Sequence, residues 1–382
     1  MSAPVQRPAH QTATPRSAKD PSVTTTSPAA APAPAAPAGG PNRLQRVLGL
    51  QALQIVLILL VIVAIFGTLA PESFLSAFNI RSIVINTSIL AVLGVGMTFV
   101  IITGGIDLSV GSVLVFSGVV ASKVMVAAGG EGWGVALVGL LAACLSGLGW
   151  GLVNGLVIAR LKVPPLIATL GTFGAALGFA QIITGGIDLR DAPQVLVDTV
   201  GFGNVVGQVP VLSVVAALVV LVGMVLLHRT RFGLYTYAIG SNIEAGRRTG
   251  VKVDRQTIKV YAFAGLLSGF AGLLNLSFFQ STTIGGQSNT NLNVIAGVVI
   301  GGTSLFGGFG TVFGTVIGLF IPTTLQSGFV IIGVQPFWQQ VVVGVVLIAA
   351  VWLDQQRRAS AQSGKPRRSL LARRGRGSSK GI

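Results

Sequence analysis

Long apolar stretches separated by short polar connections fill most of this 382-residue chain, and the apolar residues run continuously instead of alternating as in a membrane strand. A membrane-spanning helix needs about 20 apolar residues. The predicted spans are approximately 46–70, 83–103, 110–128, 133–158, 166–184, 209–227, 258–279, 292–305, 311–333 and 336–353. The pattern predicts an all-α polytopic membrane protein with about ten transmembrane helices.

Composition supports the membrane class and narrows the chemistry. Hydrophobic residues make up 51% of the chain, charged residues only 9%, and the mean hydropathy is +0.79, whereas soluble domains carry roughly a quarter charged residues. The one cysteine, Cys144, has no disulfide partner, and neither histidine belongs to a cluster with metal-ligand spacing. We therefore expect no metal, cofactor or catalytic site on this chain.

The charge distribution predicts how the chain sits in the membrane. The net charge is +16, with five basic residues in 1–46 and nine in 357–382. Because basic loops stay cytoplasmic, both termini are predicted to be cytoplasmic, and no nucleic-acid partner is needed to explain the charge. Residues 1–44 are predicted to be a disordered Ala/Pro-rich tail, 45–355 the transmembrane domain, and 356–382 a disordered basic tail, which is either solvated or bound to anionic lipid.

An eight-residue string, Ile-Ile-Thr-Gly-Gly-Ile-Asp-Leu, occurs at 101–108 and again at 182–189. In the first copy, Gly104 and Gly105 permit a sharp change of backbone direction, and Asp107 with Ser109 suits the N-cap of a following helix. One interpretation is a turn with a cap. The other is a broken helix that lines a translocation path, continuing to Gly111. A glycine-rich stretch at 301–308 echoes 104–111 and suggests two related halves of about five helices.

The longest predicted cytoplasmic loop, 232–254, carries the pattern of a short capped helix. Asn242 suits the N-cap, Glu244 the first turn, Arg247 and Arg248 the C-terminal end, and Gly250 the stop. Such a helix is suited to docking a soluble partner. The alternative is a solvated basic loop.

Several of these motifs together resemble one known family. They are Gly96-Met97-Thr98 through Ile102-Thr103-Gly104-Gly105-Ile106-Asp107-Leu108-Ser109-Val110-Gly111-Ser112, Asn154-Gly155 before Pro164-Pro165-Leu166-Ile167-Ala168-Thr169-Leu170-Gly171, Ala238-Ile239-Gly240-Ser241-Asn242 through Gly250-Val251, and Gly301-Gly302-Thr303-Ser304 with Gly307-Gly308. Over about residues 45–355 the chain resembles the permease subunit of bacterial ribose/xylose/arabinose-type ABC sugar importers, in the branched-chain/monosaccharide permease superfamily.

The resemblance implies a permease dimer, with identical or different subunits, in the bacterial inner (plasma) membrane. It implies a cytoplasmic ATP-binding subunit that holds the ATP and Mg²⁺, and an extracytoplasmic binding protein that delivers a monosaccharide. The family's ATPase-coupling motif maps onto Ala238, Gly240, Asn242, Ala245 and Gly250. Asn154, Gln181 and Asn275, with Asn86 and Gln280, could contact sugar hydroxyls, although a helix–helix hydrogen bond is the favoured interpretation for each one taken singly.

Other classes fit less well. The chain has no Gly-x-x-x-x-Gly-Lys-Ser/Thr loop, so ATP use is expected on a partner. An ion-coupled secondary transporter is the alternative, but such carriers use ionisable residues within the membrane. The predicted spans contain only Lys123 and Lys259, both near span ends, besides Arg46 at the first residue of the first span. No hydrolase motif or channel filter motif is present to favour a membrane enzyme or a channel.

Overall fold

The computed structural model describes residues 51–285, 289–335, 338, 340–345, 348–349, 351–352 and 355–356. Helices and loops make up this part of the chain, which contains no β-strand and only one isolated bridge, between Asn204 and Pro210. The predicted all-α fold is confirmed. The predicted N-terminal tail, all but the first residue of the predicted C-terminal tail, and much of the predicted tenth span lie outside the described residues.

The helices follow the predicted apolar segments closely. They are α1 Gln51–Leu69, α2 Pro71–Phe74, α3 Ala77–Ile102, α4 Val110–Ala128, α5 Trp133–Arg160, α6 Pro165–Thr184, α7 Gln194–Leu196, α8 Val211–Arg229, α9 Arg231–Ser241, α10 Ile243–Arg248, α11 Val253–Phe279, α12 Thr290–Ile300 and α13 Val312–Ile331. A π-helical turn, Val197–Gly201, follows α7.

Among the described residues, α3, α4, α5, α6, α8, α11 and α13 are long and apolar enough to cross a membrane, and α1 and α12 contain shorter apolar helices. Helix α12 has 11 residues, a length of about 16 Å at 1.5 Å per residue, and the hydrocarbon core is about 30 Å thick. The predicted span 292–305 is therefore wrong in extent. The helix ends at Ile300 because Gly302 adopts a φ of 94°, which a continuing helix does not allow.

Helix α3 lies at the centre, and most of its apolar side chains are buried. It packs against α13, where the hydroxyls of Thr87 and Thr323 and those of Thr98 and Thr315 are each 2.7 Å apart. Helices α5 and α11 meet along small residues: a Cβ added to Gly147 or Gly151 would overlap the α11 backbone. Small residues at such a crossing let two helix backbones approach closely, which is how membrane helices gain packing energy.

Contacts among loops and helix ends define two ends of the helical unit. The "basic end" carries α9, α10 and an ion pair of 2.8 Å between Lys162 and Asp254. At the "opposite end", Arg81 donates to the Phe202 carbonyl at 2.8 Å and the Gln194 amide donates to Glu131 at 2.8 Å. The predicted orientation of these ends in the membrane, and the exact number of spans, remain predictions.

Candidate functional site

Helix α10 is a short helix with satisfied ends. The Asn242 side chain accepts a hydrogen bond from the Ala245 amide at 3.0 Å, in N-cap geometry. Glu244 and Arg247 form an exposed ion pair of 2.9 Å, and each lies at the helix end whose partial charge it complements. Beyond Arg248, the Gly250 amide donates to the Arg247 carbonyl and the Val251 amide to the Gly246 carbonyl, with Gly250 at a φ of 87°. The structure thus contains the predicted capped helix.

The α10 surface, defined as Ile243, Glu244, Ala245, Arg247 and Arg248, is exposed. Only Gly246 faces inward, toward the Ala238 carbonyl in α9. A rigid helix that presents both charges and an isoleucine to solvent can serve as a docking surface.

Helix α9 joins this surface to two interruptions between long helices. They are the first break, residues 103–109 between α3 and α4, and the second break, residues 301–311 between α12 and α13. A Cβ on Gly240 would overlap the Ile102 carbonyl and the Gly308 amide, so only glycine permits this approach. The Gly308 amide in turn donates to the Ile102 carbonyl at 2.8 Å. The end of α3 and the loop between α12 and α13 therefore contact each other, and both contact Gly240.

Two more hydrogen bonds hold α9 in place. The Tyr237 hydroxyl donates to the Gly310 carbonyl at 2.6 Å, and burial raises the pKa of that hydroxyl, so it keeps its proton. The Gln256 side chain, from α11, donates to the Phe232 carbonyl and to the Thr236 hydroxyl. Helix α9 is thus fixed both to the loop before α13 and to the start of α11.

The first break comprises residues 103–109, between α3 and α4. Gly104 has a φ of 81°, its amide donates to the Ile101 carbonyl, and the Gly105 amide donates to the Val100 carbonyl. This pair of bonds is the Schellman ending of a helix. The sequence prediction of a chain reversal at these glycines matches the geometry.

Asp107 and Ser109 are buried and lie at the centre of a polar chain. The Asp107 carboxylate accepts from the Ser109 amide at 2.8 Å and from its hydroxyl at 2.6 Å. The Asn154 side chain donates to the Ser109 hydroxyl at 2.8 Å and accepts from Thr172 at 2.6 Å. These bonds brace the first break against α5 and α6, and Gly111 is buried in the first turn of α4.

The predicted role of Asp107 as the N-cap of α4 is wrong. Ser109 occupies the N-cap position and makes no side-chain cap bond, while Asp107 lies two residues earlier and closes a turn on Ser109. The turn that the Asp107 carboxylate closes lies before the first residue of α4. The carboxylate therefore stabilises the first break and does not cap the helix. The hydroxyl of Tyr261, which is buried against Gly105, makes no hydrogen bond within the described residues.

The second break comprises residues 301–311, between α12 and α13. Gly302 has a φ of 94°, its amide donates to the Val299 carbonyl, and the Thr303 amide donates to the Val298 carbonyl. These are the same two bonds as in the first break. The structural equivalence pairs Gly104 with Gly302, one residue away from the match suggested by the glycine pairs. The same pair of bonds also ends α10 and α13, so it is a common helix ending, and the relation between the two halves stays a prediction.

The second copy of the repeated string acts differently. Helix α6 ends at Thr184 with Gly185 as its C-cap, and no helix resumes before α7. Asp188 accepts a hydrogen bond from the Ile284 amide at 2.6 Å, so it ties this loop to the one after α11 at the opposite end. The identical sequence therefore ends a helix here without forming a second half-helix.

Asn275 and Gln181, two residues predicted to contact sugar hydroxyls, lie in different surroundings. Asn275 borders a cavity of 410 Å³, whereas Gln181 lies on the exposed surface of α6, outside that cavity. Residues that the sequence did not single out complete the lining, chiefly Asn293, Thr323 and Gln326. The closely spaced asparagines 289, 291 and 293 were a signal that could have drawn attention to this region.

Long apolar helices, interrupted by two breaks and joined at those breaks to a capped surface helix, define a multi-pass helical membrane protein. The family model described as "Branched-chain amino acid transport system / permease component" matches residues 79–351. The chain belongs to this permease family.

Curated relatives agree with this assignment. The chain is 39% identical to the ribose import permease of Bacillus subtilis over 304 residues, covering 79% of this chain and 92% of the relative. It is 35% identical to the D-allose transport system permease of Escherichia coli over 300 residues, 78% and 90% of the two chains. It is 34% identical to the L-arabinose ABC transporter permease of Azospirillum brasilense over 342 residues, 89% and 97%. No solved structure matches. The resemblance to sugar importer permeases is confirmed.

Proposed function

We propose that this chain is the transmembrane permease subunit of an ABC importer and that it carries a monosaccharide, a pentose or hexose. The observation that carries the proposal is the similarity, over more than three quarters of the chain, to permeases named for ribose, allose and arabinose. The family description names branched-chain amino acids instead. The experiment below therefore includes both classes of solute.

The α10 surface would receive the ATP-binding partner, which holds ATP and Mg²⁺. Ala238, Gly240, Asn242, Glu244, Ala245, Arg247, Arg248 and Gly250 make up the proposed coupling element. Because α9 contacts Ile102 and Gly308 together, movement of α10 would reach the first and second breaks at the same time. Displacement of both breaks would then open the path alternately to the two sides.

The proposal also includes a second permease copy, identical or related, and an extracytoplasmic binding protein that delivers the sugar. We place the chain in the bacterial inner membrane with both termini in the cytoplasm, because most of the described basic residues lie at the basic end, with Arg81 and Arg190 at the opposite end as exceptions. Gly104, Gly105, Asp107, Ser109, Gly111 and Asn154 would then form a braced hinge of the path.

Uptake measurements test the proposal. Cells lacking and then regaining this chain would be given labelled pentoses, hexoses and branched-chain amino acids, each with a protonophore and, separately, after ATP depletion. Sugar accumulation that survives the protonophore and stops without ATP is the expected result. Accumulation that collapses with the proton gradient while ATP is maintained would instead establish an ion-coupled carrier.

A further inference from the structure

We propose that the 410 Å³ cavity is a binding site for a neutral polyhydroxylated solute, held by the side-chain amides of Asn86, Asn293 and Gln326. Its volume lies in the range of about 300–1,000 Å³ typical of small-molecule sites. The assignment rests on the proposed function and deepens it, because it names the residues that would contact the sugar.

The three amides have hydrogen-bonding capacity to spare. Asn86 uses its NH₂ group to donate to the Ser82 carbonyl at 2.9 Å, and its oxygen accepts nothing from the described part of the chain. Asn293 and Gln326 make no side-chain hydrogen bond to any described residue. An amide offers a donor and an acceptor side by side, which matches the paired hydroxyls of a sugar.

The lining carries no charged side chain among its described residues, and Phe279 and Phe329 supply apolar surface for the C–H face of a ring. The N-terminus of α12 borders the cavity and would favour a carboxylate, but none of the described lining residues carries a carboxylate to face the ammonium group of an amino acid. Because an unpaired charge is costly to desolvate, the cavity favours a neutral solute over a zwitterion.

The cavity also has an approach. A neighbouring cavity of 630 Å³ shares Asn86, Phe279, Thr323 and Gln326 with it and extends to Ser73 and Ser76. Ser73 lies in α2 and Ser76 is the N-cap of α3, away from the α10 surface. The described lining of this second cavity is uncharged as well. A solute could thus enter from the opposite end through hydroxyl and amide groups.

Thiol labelling tests the site directly. In a Cys144→Ser background, which removes the one native thiol, Leu90→Cys would place a reporter in the cavity lining and Gln181→Cys would place one outside it. A water-soluble methanethiosulfonate would be applied to the purified permease with increasing ribose, allose, arabinose or leucine. We expect a monosaccharide to slow labelling of the Leu90→Cys reporter and to leave the Gln181→Cys reporter unaffected.

A second substitution in the reporter variant tests which side chains bind the sugar. Adding Asn86→Leu or Gln326→Met to the Leu90→Cys reporter should raise the half-protecting sugar concentration about 3- to 10-fold, the effect of losing one neutral hydrogen bond. Gln181→Met is the matched control and should not move it. Protection by leucine but by no sugar, or a half-protecting concentration unchanged by both cavity variants, would overturn the assignment. ATP-dependent uptake by the wild-type chain is measured separately, so failure of the site is distinguishable from failure of the proposed function.

Discussion

Replacing Gly240 by alanine tests the contact between α9 and the two breaks. The added methyl group would overlap the Ile102 carbonyl and the Gly308 amide. Both are backbone atoms, so no side-chain rotation can relieve the overlap, and overpacking of this kind costs about 1–3 kcal/mol. If one transport state requires the contact, its population falls about 5- to 150-fold, since 1.4 kcal/mol corresponds to a factor of ten.

The Gly240→Ala variant should therefore lose most ATP-dependent uptake. The α10 surface is unchanged, so the variant should still co-purify with the ATP-binding partner. Uptake, co-purification and the melting temperature of the purified permease would be measured together. We expect uptake and melting temperature to fall while co-purification persists.

Gly246→Ala provides the matched control in the same helical pair. The nearest atom to an added Cβ is the Ala238 carbonyl oxygen at 3.7 Å, an ordinary contact. Alanine is also about 1 kcal/mol better than glycine within a helix. This variant should keep its uptake, with an unchanged or higher melting temperature. If Gly240→Ala behaves like Gly246→Ala in both measurements, the inferred tight contact is refuted.

Three further predictions concern α10 and the first break. Asn242→Ala should destabilise α10 by about 1 kcal/mol and weaken co-purification of the ATP-binding partner, and Asn242→Asp should restore it because aspartate also caps; equal co-purification of both variants would contradict this. Glu244→Gln combined with Arg247→Gln removes an exposed pair worth only about 0.2–0.5 kcal/mol, so the melting temperature should stay within error while partner binding weakens; intact binding and uptake would remove this pair from the coupling surface. Asn154→Leu removes the group that donates a hydrogen bond to the buried Ser109 hydroxyl, so the free energy of unfolding should fall by about 1–3 kcal/mol. The melting temperature should fall with it, and Gln181→Leu, at an exposed position, serves as the control. Equal melting temperatures of the two variants would show that the polar chain does not brace the first break.

The positions of the helices were predictable because membrane-spanning helices consist of continuous runs of apolar residues. The predicted span 110–128 coincides with α4, and the span 166–184 differs from α6 by one residue. The error at α12 has a clear source: after Gly-Gly-Thr-Ser at 301–304, hydrophobic residues resume at Leu305 and Phe306, so hydropathy alone does not register the reversal that Gly302 imposes. Backbone conformation decided this boundary.

The local geometry of α10 was also within reach of the sequence, because a cap, two complementary charges and a terminating glycine all lie within nine residues. The partners of Gly240 were not predictable in this way. Ile102 and Gly308 come from distant parts of the chain, and no pattern within one segment specifies which break packs against which. The cavity could not be predicted from the sequence for the same reason, since its three side-chain amides lie on three different helices, α3, α12 and α13.

The shared contact has a mechanical consequence for the proposed transport path. If each break were coupled to a separate surface element, one break could move while the other stayed, and a path between them could open to both sides. Here the Gly308 amide is bonded to the Ile102 carbonyl, and Gly240 rests on both. A displacement of α9 therefore acts on the two breaks together, and the Tyr237–Gly310 bond carries the same displacement to the start of α13. Coupled movement of this kind favours two discrete arrangements over a continuum, which is what alternating access requires.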